Sequence, residues 1–330
     1  MSYKHACGAA ALLVLLLGDA AARPAVAPER GVAAIGESYK LPISAPRDQG
    51  DSDLCWVFAT LSMLESNYMQ RHPGSHIELS RGALQRESIA DRLARLIDHH
   101  SAYLQDGGVA VDALALIRAD GLFAARDFHD YVDSDPIFAA ASARLAAIPI
   151  ASEKAKALDH ALTSALGALP AVTHLDGEAV SPRALADAVL GDETWTEYDV
   201  TSDGVAHVGP SDDPDARPGT QVHYAPLSTA IDLIHRSLAN GEAVVWGSKD
   251  NHALEIFGAD YDAAGEPLSY WVKDSFAPYV YRAPAQAIHK VLTDVTVAAP
   301  PARAERTAAD DHSPSKSSRS GEPASTSRLP

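Results

Sequence analysis

Cys55 stands at the head of an apolar run, Trp56, Val57, Phe58, Leu61, Met63, Leu64 and Tyr68, with no Gly or Pro before Arg71. Such a run predicts a buried helix. A thiol at a helix N-terminus is favoured as the thiolate by the free amides and the dipole there, and the thiolate is the nucleophile. Six positions earlier, Gln49 heads the turn Gln49-Gly50-Asp51-Ser52-Asp53-Leu54. Its amide is placed to join the Cys55 N–H in holding the oxyanion formed when sulfur attacks a carbonyl. Such a nucleophile needs a base, and the base an orienter. His252 opens a strand-like segment that runs to Tyr261, and Asp262–Pro267 reads as a hairpin turn. The returning segment Trp271-Val272-Lys273-Asp274-Ser275-Phe276 brings back a carboxylate. Hairpin pairing sets Asp274 near His252, with the Phe276 ring screening their contact from water.

Singly, these residues have ordinary readings: a buried helical thiol, a strand histidine, a turn acid. Their value lies in the set. Cysteine usage adds to it. Of two cysteines, Cys7 lies in a segment where Lys4 precedes an apolar run, Ala9 to Leu17, and the small residues Ala20-Ala21-Ala22. That order predicts a secretory signal peptide over residues 1–22, cut after Ala22. The run is too short for a membrane span, which needs about 20 residues. The mature chain then keeps one thiol and forms no internal disulfide. Exported proteins avoid idle thiols, so the expectation is a secreted or periplasmic protein, with no membrane partner after signal removal.

The 330 residues are 46% hydrophobic and 22% charged, an ordinary globular mixture. The formal net charge of -17 repels phosphate backbones and argues against a nucleic-acid partner. His129, His160, His174, His207, His223 and His235 show no metal-ligand spacing, His99-His100 closes a helix, and Asp212-Asp213-Pro214-Asp215 is a poor calcium loop. The sequence points to no metal and no cofactor.

Residues 23–40 read as a lead-in, and 298–330, rich in Pro, Ser, Ala and Thr, as a disordered tail. Between them, Ser80 can cap a second helix with the stripe Ile89, Leu93, Leu96 and Ile97. A third follows Gly107-Gly108 and stops at Gly121, and further helices fall near 136–146, 152–167, 182–189 and 226–239. Strands follow at 243–246, 252–261, 269–273, 279–282 and 291–297. The fold class is α+β, with a helical lobe over about 47–190, a sheet lobe over about 220–297, and the site in the cleft between.

Gln49–Ala59 (QGDSDLCWVFA), His252 and Lys273-Asp274-Ser275-Phe276 together resemble the papain-like cysteine peptidase superfamily. Leu79-Ser80, Gly107-Gly108 and the helix Val109–Gly121 fit the same pattern. Tyr224–Gly247 and His252–Phe276 are similar to the branch that includes bleomycin hydrolase and aminopeptidase C. The resemblance implies a two-lobed papain-like fold over 41–297 whose second lobe is an antiparallel sheet. It implies catalytic Cys55, His252, Asp274 and Gln49, and peptide or protein substrates. Gly107 and Gly108 would pair with extended substrate backbone, and Trp56 and Phe276 would line the substrate site. Four features depart from the pattern. Asp53 replaces a glycine, so a carboxylate stands against the thiolate and crowds the cleft. Asp274 replaces the usual Asn, Phe276 the usual Trp, and the stretch from residue 23 to Gln49 has no room for a long inhibitory propeptide. The leading expectation is an exported cysteine peptidase. The alternatives are a deamidase or acyltransferase acting on a dedicated partner, and a papain-like scaffold that binds peptides without turnover.

Overall fold

The computed structural model describes residues 38–99, 106–130, 133–146, 148, 151–213, 216–276 and 279–299. The expected signal peptide, the lead-in before Ser38, His100, Pro214-Asp215 and the tail beyond Ala299 lie outside them. A short strand β1 (Ser38–Lys40) precedes the helices α1 (Cys55–Arg71), α2 (Arg81–His99), α3 (Ala110–Asp120), α4 (Asp135–Ala146) and α5 (Ala151–Leu166). The hairpin β2 (Thr173–Leu175)/β3 (Glu178–Val180) and α6 (Pro182–Leu190) complete the helical lobe. Then follow β4 (Thr194–Val200), β5 (His207–Pro210), β6 (Gln221–Ala225), α7 (Leu227–Ala239), β7 (Val244–Ser248), β8 (His252–Tyr261), β9 (Pro267–Asp274), β10 (Tyr279–Pro284), α8 (Ala285–Val291) and β11 (Leu292–Ala299).

Local chemistry sets several boundaries. The Ser80 hydroxyl accepts from the Ala83 N–H to start α2, and Ser181 does the same for Ala184 ahead of Pro182 at the start of α6. Helix α3 ends at Gly121, whose φ of +93° is open to glycine at little cost. Helix α1 is buried on every side from Trp56 to Met69, so the lobe folds around it.

The sheet runs β10-β9-β8-β7-β11-β4-β6-β5, with β1 added against β8, and only β4 and β6 pair in parallel. Alternation along β8 divides the core. Ala253 and Phe257 face α1, together with Val245 and the α3 and α6 side chains, while Leu254 and Ile256 join Trp246, Tyr270, Val272 and helices α7 and α8 behind the sheet. Each large apolar side chain so buried stabilises the fold by about 1.5–3 kcal/mol. Where β1 crosses β8, a side chain at Gly258 would meet the Tyr39 carbonyl at 2.3 Å, so only glycine admits the third strand.

A buried polar network threads the two lobes. Glu65 of α1 is fully buried and accepts from the Leu79 N–H at 2.7 Å, from Ser44 and from Arg81. Lys273 of β9 donates to Ser44 at 2.8 Å. Arg81 and Lys273 hold the Glu65 carboxyl below its ordinary range although burial pushes it up.

The structure moves three boundaries. The sheet lobe starts at Thr194, not near 220, because β4 and β5 belong to it. Ser38–Lys40, expected in the lead-in, is a strand. β11 reaches Ala299, opposite Thr194, two residues into the expected tail. The β2/β3 hairpin, β6 and α8 were also not expected as elements.

Candidate active site

Cys55 is the first residue of α1 and half-buried, and no side chain caps the helix there. The preceding turn is tightly tied. Gly50 sits at φ +58°, its N–H bonds Asp48 Oδ1 at 2.8 Å, and the Ser52 hydroxyl donates to the Gln49 carbonyl at 2.7 Å. This turn buries the Gln49 side chain. Its Nε2 donates to the Ser52 carbonyl at 2.6 Å and its Oε1 accepts from the Ser275 hydroxyl at 2.7 Å. A carbonyl can only accept, so the orientation of the amide is fixed, and one Nε2–H remains for a ligand.

His252 lies where β7 turns into β8, paired with Ser248 after Asn251 at φ +55°. Its Nε2 is 2.9 Å from Asp274 Oδ1, and that same oxygen accepts the Phe276 N–H at 2.9 Å. Nδ1 is left for the sulfur of Cys55, with which the ring hydrogen-bonds; that sulfur also lies 4.0 Å from the Asn251 carbonyl. Burial opposes a charge on His252. The hydrogen bond to Asp274, then the hydrogen bond to and charge of Cys55, outweigh it and raise the imidazole to about 9. The Phe276 ring stands edge-on to the imidazole, centroids 6.1 Å apart at 78°.

The structure brings Gln49, Cys55, His252, Asp274 and Phe276 together and distributes the remaining candidates differently. Trp56, expected to line the substrate site, is 1% exposed. Its indole N–H donates to the Asp106 carbonyl at 2.7 Å, and a side chain at Gly108 would meet its ring at 2.7 Å. It therefore props the glycine loop from behind. Gly107 is buried with its carbonyl held by Arg92, so Gly108 is the member of the pair left partly exposed. Asp53 is exposed. Asp106 is raised to about 6 by burial first, with Asp53 and Asp135 adding to it against Ser134 and Arg92.

Two residues escaped the sequence reading as parts of the site: Ser275 fixes Gln49, and Asn251 has its carbonyl 4.0 Å from the sulfur. Ser275 lies between Asp274 and Phe276, so the sequence shows its position but not its bond to Gln49. Among the described residues no group of His, Cys, Asp and Glu is arranged to hold a metal ion, and no helix is long and apolar enough to cross a membrane.

No protein-family profile and no curated protein matches the chain. Among solved structures, PepW from Lactobacillus rhamnosis superposes with a TM-score of 0.60 at 16% identity, over 78% of this chain and 81% of PepW. Xylellain, a cysteine protease from Xylella fastidiosa, superposes with a TM-score of 0.42 at 15% identity, over 86% of this chain and 94% of xylellain.

Proposed function

We propose that this chain, whose fold is that of the papain-like cysteine peptidases, hydrolyses peptide bonds through a Cys55 thiolate once exported from the cell. The observation that carries the reading is the 2.9 Å bond from His252 Nε2 to Asp274, which leaves the other ring nitrogen to Cys55. In this reading the sulfur attacks the carbonyl carbon of an extended peptide. The oxyanion takes hydrogen bonds from the free Nε2–H of Gln49 and the Cys55 N–H. The His252 imidazolium gives its proton to the departing amine, the C–N bond breaks, and a thioester remains on Cys55. Neutral His252 then takes a proton from water, whose oxygen attacks the thioester. Collapse releases the carboxylic acid and returns the thiolate–imidazolium pair.

The Ala20-Ala21-Ala22 segment after the apolar run supports export, as does the single cysteine kept beyond it. The substrate class is peptide or unfolded protein, with Gly108 and its propped loop offering backbone contacts to an extended chain. Incubating the purified chain with a mixed peptide set and reading products by mass spectrometry tests the proposal. Backbone cleavage that disappears in Cys55→Ala is the expected result. Intact peptides, or a one-dalton gain on a glutamine side chain, would replace hydrolysis by binding or by deamidation.

A further inference from the structure

We infer that Glu255 is a positioning residue for the Cys55–His252 pair, its buried carboxylate clamping helix α1 to strand β8 through Ser62 and Ser66. The inference rests on the catalytic roles proposed above. Glu255 is fully buried, and each of its oxygens takes one hydroxyl of α1: Oε2 from Ser62 at 2.5 Å and Oε1 from Ser66 at 2.5 Å. The two serines are one helical turn apart, so a single planar group fixes both the rotation of α1 and its height on the strand.

The clamp lies at matched depth below the two reacting groups. Ser62 is seven residues into α1 from Cys55, about 10 Å at the helical rise. Glu255 is three residues into β8 from His252, again about 10 Å at the strand rise. Any slip of α1 along β8 is therefore passed directly to the distance between sulfur and ring. The apolar neighbours Ala253, Phe257, Phe58 and Leu61 pack without directional preference, so the register of α1 on β8 is set by polar ties. Other polar ties of α1 to the sheet lobe run from Asn67 to the Ala243 backbone and from Glu65 through Ser44 to Lys273, and neither reaches β8.

The charged groups facing Glu255 are Lys273, its register partner on β9, and Glu65 from α1. Burial, with Glu65 adding to it, pushes the Glu255 carboxyl above its ordinary range against Lys273 and the two hydroxyls. A buried carboxylate is a costly way to fill space that a methionine or leucine would fill. Its directional bonds are what an apolar residue lacks.

The test compares Glu255→Ala, Glu255→Gln and the double variant Ser62→Ala/Ser66→Ala in the full chain, with rates scaled to titrated active sites. Gln at this position keeps one acceptor and offers an N–H to the other hydroxyl, so both contacts survive. Glu255→Ala and the serine double variant should lower kcat about 10- to 100-fold while KM stays within about threefold. In both, the alkaline limb of the kcat/KM profile should move down from about 9 as the ring loses its sulfur partner. Glu255→Gln should restore both readouts. The double variant leaves the carboxylate beside Lys273 and serves if Glu255→Ala does not fold. Wild-type kcat and an unmoved alkaline limb in Glu255→Ala or the double variant would overturn the inference. Absence of turnover in the unmodified chain would instead overturn the peptidase reading on which it rests.

Discussion

The Ser275 hydroxyl donates to Gln49 Oε1 at 2.7 Å, and the Gln49 N–H bonds back to the Ser275 carbonyl at 2.7 Å. One residue past Asp274, the sheet lobe thus grips Gln49, the proposed oxyanion donor of the helical lobe. Ser275→Ala should free the Gln49 amide and lower kcat about three- to tenfold, the worth of one neutral hydrogen bond. Gln49→Ala should cost about 100-fold, as loss of an oxyanion donor does. Steady-state kinetics of the two single variants and the double variant checks this. The serine effect should vanish once Gln49 is gone.

Asp274→Asn keeps an oxygen for His252 Nε2 and removes the charge behind it. The imidazole, held at about 9 by Asp274 and Cys55 against burial, should then titrate lower. The alkaline limb of kcat/KM, set by loss of the imidazolium proton, moves down with it. Activity at pH 6 should fall less in Asp274→Asn than in Asp274→Ala, which also frees the ring to rotate and should cost about 100-fold or more.

Behind the sheet, the fully buried Tyr270 hydroxyl sits between His235 Nε2 at 2.8 Å and His289 Nε2 at 2.9 Å. Burial lowers His235 to about 4, below its ordinary value near 6.5. The unfolded chain therefore binds more protons than the folded one between those values. Stability is full above about 6.5 and falls as pH drops toward 4, by about 3 kcal/mol for this group. Urea denaturation at pH 7 and pH 4.5 should show the loss, and His235→Gln should flatten it.

At Gly108, an added methyl would lie 2.7 Å from the ring of Trp56, which is buried and cannot withdraw. Gly108→Ala should cost about 1–3 kcal/mol of stability by overpacking. If Gly108 contacts substrate as proposed, the substitution should also raise KM. Trp56→Phe relieves the clash but drops the bond to the Asp106 carbonyl. The pair Trp56→Phe/Gly108→Ala should therefore recover part of the stability and little of the KM, as measured by denaturation and peptide turnover.

Much of the site could be read from residue types, because its parts are marked by short-range signals. An apolar run without Gly or Pro announces α1 and puts Cys55 at its head. The turn Asp262–Pro267 closes a hairpin whose arms return Asp274 to His252, and Gly121 ends α3. What stayed hidden was concealed by buried polar groups. β4 reads Thr-Trp-Thr-Glu-Tyr-Asp-Val, and its inward Glu197 is 2% exposed, satisfied by the Val111 N–H at 3.3 Å and Thr296 at 3.1 Å. A carboxylate facing inward breaks the alternation that marks a strand. Glu255 and Lys273 lie within expected strands, yet nothing local says that α1 supplies the partners of one and the distant Ser44 the partner of the other. β1 has three residues and no pattern, and exists only because Gly258 lets it approach. Trp56 lies behind the glycine loop and not in the expected substrate site: an aromatic beside Cys55 suits a cleft wall as well as a prop, and the Asp106 carbonyl decides between them.

The charge on His252 can be read directly by nuclear magnetic resonance titration of its ring protons, in the unmodified chain and in Cys55→Ala. A ring bonded to both Asp274 and an ionised sulfur should titrate near 9 and drop by about one unit or more when the sulfur is removed. A ring that titrates near its ordinary 6.5 and does not respond to Cys55→Ala would contradict the thiolate–imidazolium pair, and the proposed chemistry with it.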